Sequence, residues 1–294
     1  MAAPPAPPTA ALMQAFKPTP ALAAYITDIW VWEIECATQQ DAAASLTLLP
    51  DGHPAMCFVY GAPLTASDGQ RSFTTRSAVC GFQARPVQVT CAGRAAGITV
   101  RFRPWSLPHF VQPSLEEAAE RRIHCRDLFG DGAVEALESE LFELPHALAR
   151  VRRVERFLLT LLRVQDADPL IEKAVHTLCS AGYNTRVGQM ARALGASERT
   201  LERRFRRAIG VAPKQFSRVM RLQAALTLQA QAQPVRWSEL ALDAGFYDQA
   251  HLIRETRELF GTTPSTLLAP PANPVAQGFQ DLAREVELQS SLFR

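Results

Sequence analysis

The feature that most constrains this chain is a repeat inside it. Residues 189–221 read QMARALGASERTLERRFRRAIGVAPKQFSRVMR, and residues 239–264 read ELALDAGFYDQAHLIRETRELFGTTP. Ala191 falls on Ala241 and Gly195 on Gly245. Past one inserted residue, Leu201 falls on Leu252, Arg203 on Arg254, Arg206 on Arg257, Gly210 on Gly261 and Pro213 on Pro264. A repeat of this kind says that one supersecondary unit is built twice. Each copy runs from an apolar helix through a glycine turn and a polar cap to a basic amphipathic helix, and ends on glycine. That is the order of a helix-turn-helix.

In the first copy Gly195 breaks the preceding helix, because glycine takes the left-handed conformation that other residues avoid. Ser197 is placed to cap the next helix. Leu201 and Phe205, four apart, face a core, while Arg199, Glu202, Arg203 and Arg206 share another face. Arginine grips guanine O6 and N7 with two donors, so this face suits a major groove. Between Glu198 and Arg221 there are eight basic residues against two acidic ones. In the second copy Asp248 takes the capping place, and the equivalent face carries Ala250, Ile253, Arg254 and Arg257. Gln249 is placed to reach a base edge or a phosphate. His251 could do so too, or could hold the turn as a partly buried ring. Between the copies, Pro213 to about Ala230 predicts a helix of about 27 Å. That approaches the roughly 34 Å between successive major-groove faces on one side of a duplex.

The run Ala-Arg-Ala-Leu-Gly-Ala-Ser-Glu-Arg-Thr-Leu-Glu-Arg-Arg-Phe (191–205), Gly-Val-Ala-Pro-Lys (210–214), Arg221-Leu222 with Ala225, Gly-Phe-Tyr-Asp-Gln-Ala-His (245–251) and Phe260-Gly261 to Pro264-Ser265 resemble the DNA-binding domain of the AraC/XylS family of bacterial transcriptional regulators. The resemblance covers about residues 169–268. On this reading Arg199, Glu202 and Arg203 of the first unit and Gln249, Ala250 and Arg254 of the second face the bases, Arg206, Arg207 and Lys214 contact phosphate, and Arg257 is a further DNA-binding residue. Thr256 departs from the family pattern, which places a large apolar residue where Phe205 stands in the first copy.

Charge is divided to match. Residues 168–270 hold fourteen Lys and Arg against nine Asp and Glu, so the rest of the chain is acidic although the whole carries +2. Phosphate is met by the basic part. No apolar run reaches the length of a membrane span, and no basic region followed by an apolar core opens the chain. The six cysteines (Cys36, Cys57, Cys80, Cys91, Cys125, Cys179) show no metal-binding spacing and read as reduced, buried thiols. The expectation is a cytoplasmic protein without a cofactor or a bound metal.

The remainder predicts an α+β chain: a β-rich, barrel-like amino-terminal domain, a helical linker and the all-α carboxy-terminal domain. Residues 1–20, rich in alanine and proline, read as a disordered arm. Within residues 21–145, short β-prone runs at Ile29–Trp32, Leu46–Leu49, Met56–Tyr60, Val87–Cys91 and Gly97–Phe102 are separated by turns such as Pro50-Asp51-Gly52 and Asp68-Gly69. A barrel or sandwich follows. On the last run Ile98, Val100 and Phe102 face one way and Thr99, Arg101 and Arg103 the other. Arg101 and Arg103, with Trp30 and Trp32, are candidates for holding an anionic effector if that face lines a cavity; otherwise they are surface charges and core aromatics. Leu-Leu-Pro-Asp-Gly (48–52), Gly81-Phe82 and Gly-Ile-Thr-Val-Arg-Phe-Arg-Pro (97–104) resemble the cupin-like amino-terminal domain of a poorly characterised subgroup of the same family, which implies sensing or dimerisation.

Residues 146–168 read as a helical linker whose Val151, Val154, Leu158, Leu161 and Leu162 share a side. It could join domains, pair with a second copy or cover its own barrel. Residues 269–294 read as a tail or a further amphipathic helix. The expected function is sequence-specific transcription regulation by reading two adjacent major grooves, controlled by a small molecule and without enzymatic activity. Double-stranded DNA is the expected partner. RNA polymerase, an unknown effector and a second copy of the chain stay open as further partners, and a membrane is not one. Two alternatives stand beside this: a metal- or thiol-responsive sensor enzyme fused to a DNA-binding domain, in which Cys57, Cys80 or Cys91 would react, and a helical module that binds protein.

Overall fold

A computed structural model describes residues 10–35, 44–91, 93–111, 122–163, 168–180, 186–231 and 236–267. The amino-terminal half is built of two antiparallel sheets. The first holds six strands in the order β1 (Ala10–Phe16), β2 (Ile26–Glu35), β9 (Arg94–Phe102), β4 (Ala55–Val59), β7 (Ser77–Cys80), β10 (Arg122–His124). The second holds four, in the order β3 (Ala44–Leu48), β8 (Val87–Cys91), β5 (Leu64–Ser67), β6 (Ser72–Thr75). Among the described residues the two sheets stay separate, so the expected barrel is an open pair of sheets rather than a closed cylinder.

The five strands expected from sequence are all present. Residues 10–16 correct the disordered arm: β1 pairs with β2 from Ala10 opposite Glu35 to Phe16 opposite Ile29. Its composition, AALMQAF, carries little strand preference of its own. The edge of β2 supplies the hydrogen-bonding partner, and tertiary context outweighs intrinsic propensity in strands. Residues 1–9 lie outside the described residues, as does the predicted helix beyond residue 268.

Alternation along β2 and β9 divides the large sheet. Ile29, Val31, Met56, Phe58, Ile98, Val100 and Phe102 point into a core shared with α2 (Asp131–Glu143) and α3 (Ala147–Leu161), which follow the short α1 (Cys125–Phe129). The apolar side of α3, with Val151, Val154 and Leu158 buried, covers this sheet. The proposed linker helix therefore closes its own sheet. On the opposite face Trp32 packs with Cys91 and Leu64 of the smaller sheet.

The carboxy-terminal half is helical: α4 (Pro169–Ser180), α5 (Val187–Ala193), α6 (Glu198–Ile209), α7 (Pro213–Gln231), α8 (Trp237–Asp243), α9 (Gln249–Phe260) and α10 (Pro264–Leu267). One cluster packs Ile171, Val175, Met190, Ala191, Leu201, Phe205 and Ile209 against Phe216, Val219 and Met220. A second packs Leu222 and Ala225 against Leu240, Ala241, Phe246, Leu252 and Phe260. The two clusters take successive stretches of α7, which serves both as a common spine. No described helix is long and apolar enough to cross a membrane.

Candidate nucleic-acid interface

The two units repeat at the level of single hydrogen bonds. At the end of α5, Ala196 N–H reaches back to Ala191 O at 2.9 Å and Gly195 N–H to Arg192 O at 3.0 Å; at the end of α8, Phe246 N–H reaches Ala241 O at 2.8 Å and Gly245 N–H reaches Leu242 O at 2.9 Å. Gly195 and Gly245 take φ of 71° and 81°, the left-handed region where a side chain is strained. Ser197 Oγ then accepts from Thr200 N–H at 3.2 Å, and Asp248 Oδ1 accepts from His251 N–H at 2.6 Å, capping α6 and α9 as the sequence predicts. Both capped helices run twelve residues. The inserted residue is Tyr247, which stands at the turn with 84% of its surface exposed.

Capping fixes which face is free. Leu201 and Phe205 on α6 and Leu252 on α9 are buried. Arg199, Arg203, Arg206, Arg207 and Lys214, with Gln249, Ala250, Arg254 and Arg257, are exposed; Glu202 is half-buried among them. Among the described residues none of these cations is held by a carboxylate. His251 is half-buried, and its Nδ1 accepts from Tyr247 N–H at 3.2 Å, so the ring closes the turn.

Not every basic residue of the arginine-rich run is available. Arg204 forms a bidentate pair with Asp168 at the head of α4. Arg218 bridges Glu255 at 2.8 Å and Glu258 at 2.9 Å, tying α7 to α9, and these bonds raise its pKa further. Arg221 lies 5.4 Å over the Phe246 ring. Three of the eight cations thus hold the units to their neighbours. Bidentate pairs of this kind set geometry as well as charge. The second copy lacks the aromatic of the first: Thr256 is buried at the position of Phe205 and donates its hydroxyl to Leu252 O at 2.7 Å.

In the amino-terminal half the candidate effector residues separate. Trp30, Trp32 and Arg101 are buried on one side of the large sheet, with Arg101 4.7 Å over the Trp30 ring and Trp32 Nε1–H donating to Thr99 Oγ1 at 3.0 Å. Arg103 does not join them. The strand ends at Phe102, and the Arg103 guanidinium turns to Ala23 O at 3.2 Å. Arg101 is no surface charge: it bridges Asp28 at 3.3 Å and Asp51 at 3.0 Å. Burial, then the Arg101 charge, holds His53 below the ordinary imidazole range. Elsewhere an open cleft of about 1090 Å³ runs between the sheet and α2, and its Arg94, Arg126 and Arg150 pair with Glu33, Glu135 and Glu138 on its own walls.

The cysteines correct one expectation, since Cys91 is disulfide-bonded while Cys57, Cys80, Cys125 and Cys179 are free thiols. Burial pushes Cys57 and Cys179 up to about 12. Near pH 8 only about one thiol in ten thousand is then thiolate, the reactive form, and that fraction rises tenfold per pH unit. Iodoacetamide at pH 8 is expected to leave Cys57 and Cys179 unmodified in the folded protein and to label them in urea. Rapid native labelling of Cys57, read by mass spectrometry, would revive the thiol-responsive alternative. Among the described residues, no group of three or more His, Cys, Asp or Glu side chains is arranged to hold a metal ion.

A family model agrees with the helix-turn-helix geometry. Residues 190–269 match a helix-turn-helix domain family, and residues 14–124 match a domain of unknown function (DUF6597). ToxT from Vibrio cholerae is 11% identical, with 87% of this chain and 97% of that chain covered and a TM-score of 0.49. A transcriptional regulator with an AraC-type DNA-binding domain from Chromobacterium violaceum is 29% identical, over 36% of this chain and 95% of its own, with a TM-score of 0.32. A cupin 2 domain-containing protein from Halorhodospira halophila is 13% identical over 53% of this chain and 85% of its own, at a TM-score of 0.20. No curated protein matches the chain.

Proposed function

We propose that this chain, which carries an AraC-type helix-turn-helix domain and is a DNA-binding transcription regulator, reads two successive major grooves with α6 and α9. The observation that carries this reading is the matched pair of capped helices, each with a free basic face, on the two ends of one spine. At nineteen residues α7 is about 28 Å long, close to one turn of duplex. Arg199 and Arg203 are the leading base readers of the first unit, with Glu202 beside them to reject wrong bases. Gln249, Ala250 and Arg254 serve the second. Arg206, Arg207, Lys214 and Arg257 contact phosphate, which positions without specifying.

The amino-terminal half is proposed to sense a small molecule, supported by the open cleft of about 1090 Å³ beside the large sheet rather than by Arg101, which Asp28 and Asp51 hold. The protein acts in the cytoplasm, without catalysis. Selection of random double-stranded DNA on the full-length protein tests the reading: two recovered blocks about one helical turn apart are expected. A single block would leave α9 without a base-reading role, and no enrichment would sink the proposal. On the selected sequence, Arg203→Ala is expected to cost about 1–3 kcal/mol and to relax preference at one base pair. An equal loss on all sequences, measured by fluorescence anisotropy, would move Arg203 to the phosphate class.

A further inference from the structure

The helical half is not packed only on itself. Phe82, Ala84 and Trp105, from the loops of the β-rich half, are buried in the same cluster as Phe205, Phe216 and Met220. Phe82 meets Phe216 with ring centroids 5.6 Å apart, and Trp105 meets His176 at 5.5 Å. The turn Pro50-Asp51-Gly52 completes this seam. Gln223 Nε2–H of α7 donates to Pro50 O. Gly52, at φ 81°, lies so close to α7 that a Cβ there would stand 2.4 Å from Met220 Sδ.

The same turn is tied on its other side to the sheet. Arg101 on β9 holds Asp51 with one nitrogen and Asp28 of β2 with another, and its side chain and that of Asp28 are 3% and 1% exposed. Asp51 Oδ1 accepts from His53 N–H at 2.9 Å, His53 Nδ1 lies 2.9 Å from Phe102 O, and Phe102 N–H reaches Pro54 O at 2.9 Å. A guanidinium this deeply buried is held strongly by its partners, since a buried ion with a partner removed is left without water to replace it. Asp51, 30% exposed, is the one of its two carboxylates that solvent reaches.

We infer that the Pro50–Pro54 loop couples the interior face of the large sheet to α7: the Arg101–Asp51 pair fixes the turn whose Pro50 carbonyl and Gly52 backbone seat the spine of both helix-turn-helix units. Asp51 and Arg101 are positioning residues in this scheme. They touch no DNA, and they act through the place they give Gln223 and Met220. The regulatory meaning rests on α6 and α9 being the DNA readers; the mechanical link does not.

Hydrogen–deuterium exchange on the full-length protein tests the link. Asp51→Asn keeps the shape of the side chain and removes its charge, and amide exchange across residues 213–223 is expected to quicken about tenfold. Gln223→Ala, made from the other side of the seam, is expected to quicken exchange in residues 51–53. Arg94→Ala, which removes the exposed pair with Glu33, is the control and is expected to leave α7 unchanged. Faster exchange in the loop of Asp51→Asn with α7 unchanged would overturn the inference. Should Asp51→Asn not fold, an unaltered loop in Gln223→Ala overturns it as well. Exchange is read without DNA, so failed DNA selection leaves the coupling standing, and an uncoupled loop leaves the DNA reading standing.

Discussion

Replacing Phe205 with alanine is expected to destabilise the first helix-turn-helix unit by about 3–5 kcal/mol, the range for emptying a buried aromatic site. Phe205 is fully buried and meets Phe216 edge to face, with centroids 5.6 Å apart at 72°. Phe216 in turn meets Phe82, so the cavity opens at the α6 end of a chain of three rings that joins α6, the spine and the β-rich half. The neighbours cannot collapse into it without moving α6, whose placement presents Arg199 and Arg203. DNA affinity should therefore fall with stability. Urea unfolding followed by circular dichroism measures the first effect, and anisotropy on the selected DNA the second. Thr256→Ala, at the matching position of the second unit, removes far less volume and one hydroxyl bond to Leu252 O, so a markedly smaller loss is expected there. A larger loss at Thr256 than at Phe205 would contradict this account of the two cores.

The contrast between those positions shows what could be read in advance. Gly195, Gly210, Gly245 and Gly261 all take positive φ, and Ser197 and Asp248 both cap; each is a local requirement that one residue type meets, so sequence displays it. The alternation Ile98, Val100, Phe102 was legible for the same reason. Roles fixed by distant partners were not. Arg204, Arg218 and Arg221 look like further DNA contacts until Asp168, Glu255 and Phe246 are seen beside them, thirty-six and thirty-seven residues away for the first two. Arg101 likewise reads as a ligand contact until Asp28 and Asp51 close on it. Residues 10–16 lack any strand signal and are strand only because the edge of β2 is open to them. Phe82 and Trp105 have an ordinary apolar character, and nothing in their spacing says that they meet α7 and α4.

A comparably large effect is expected of salt. Arg199, Arg203, Arg206, Arg207, Lys214, Arg254 and Arg257 are exposed and, among the described residues, have no carboxylate to hold them. Each that neutralises a phosphate releases condensed counterions, and log affinity falls by about 0.9 per contact for each tenfold rise in salt. With the four phosphate contacts assigned to Arg206, Arg207, Lys214 and Arg257, affinity should drop about a hundredfold between 50 and 200 mM salt. The slope also separates the residues by role. Arg206→Ala should lower it by about one and weaken all sequences alike, whereas Arg203→Ala should act mainly on the selected sequence. Arg218→Ala supplies the contrast: its guanidinium is committed to Glu255 and Glu258, so its loss should loosen α9 against α7 and leave the slope unchanged. An affinity that hardly responds to salt would mean that these faces meet a protein instead of a duplex, because protein partners bring no condensed counterions to release.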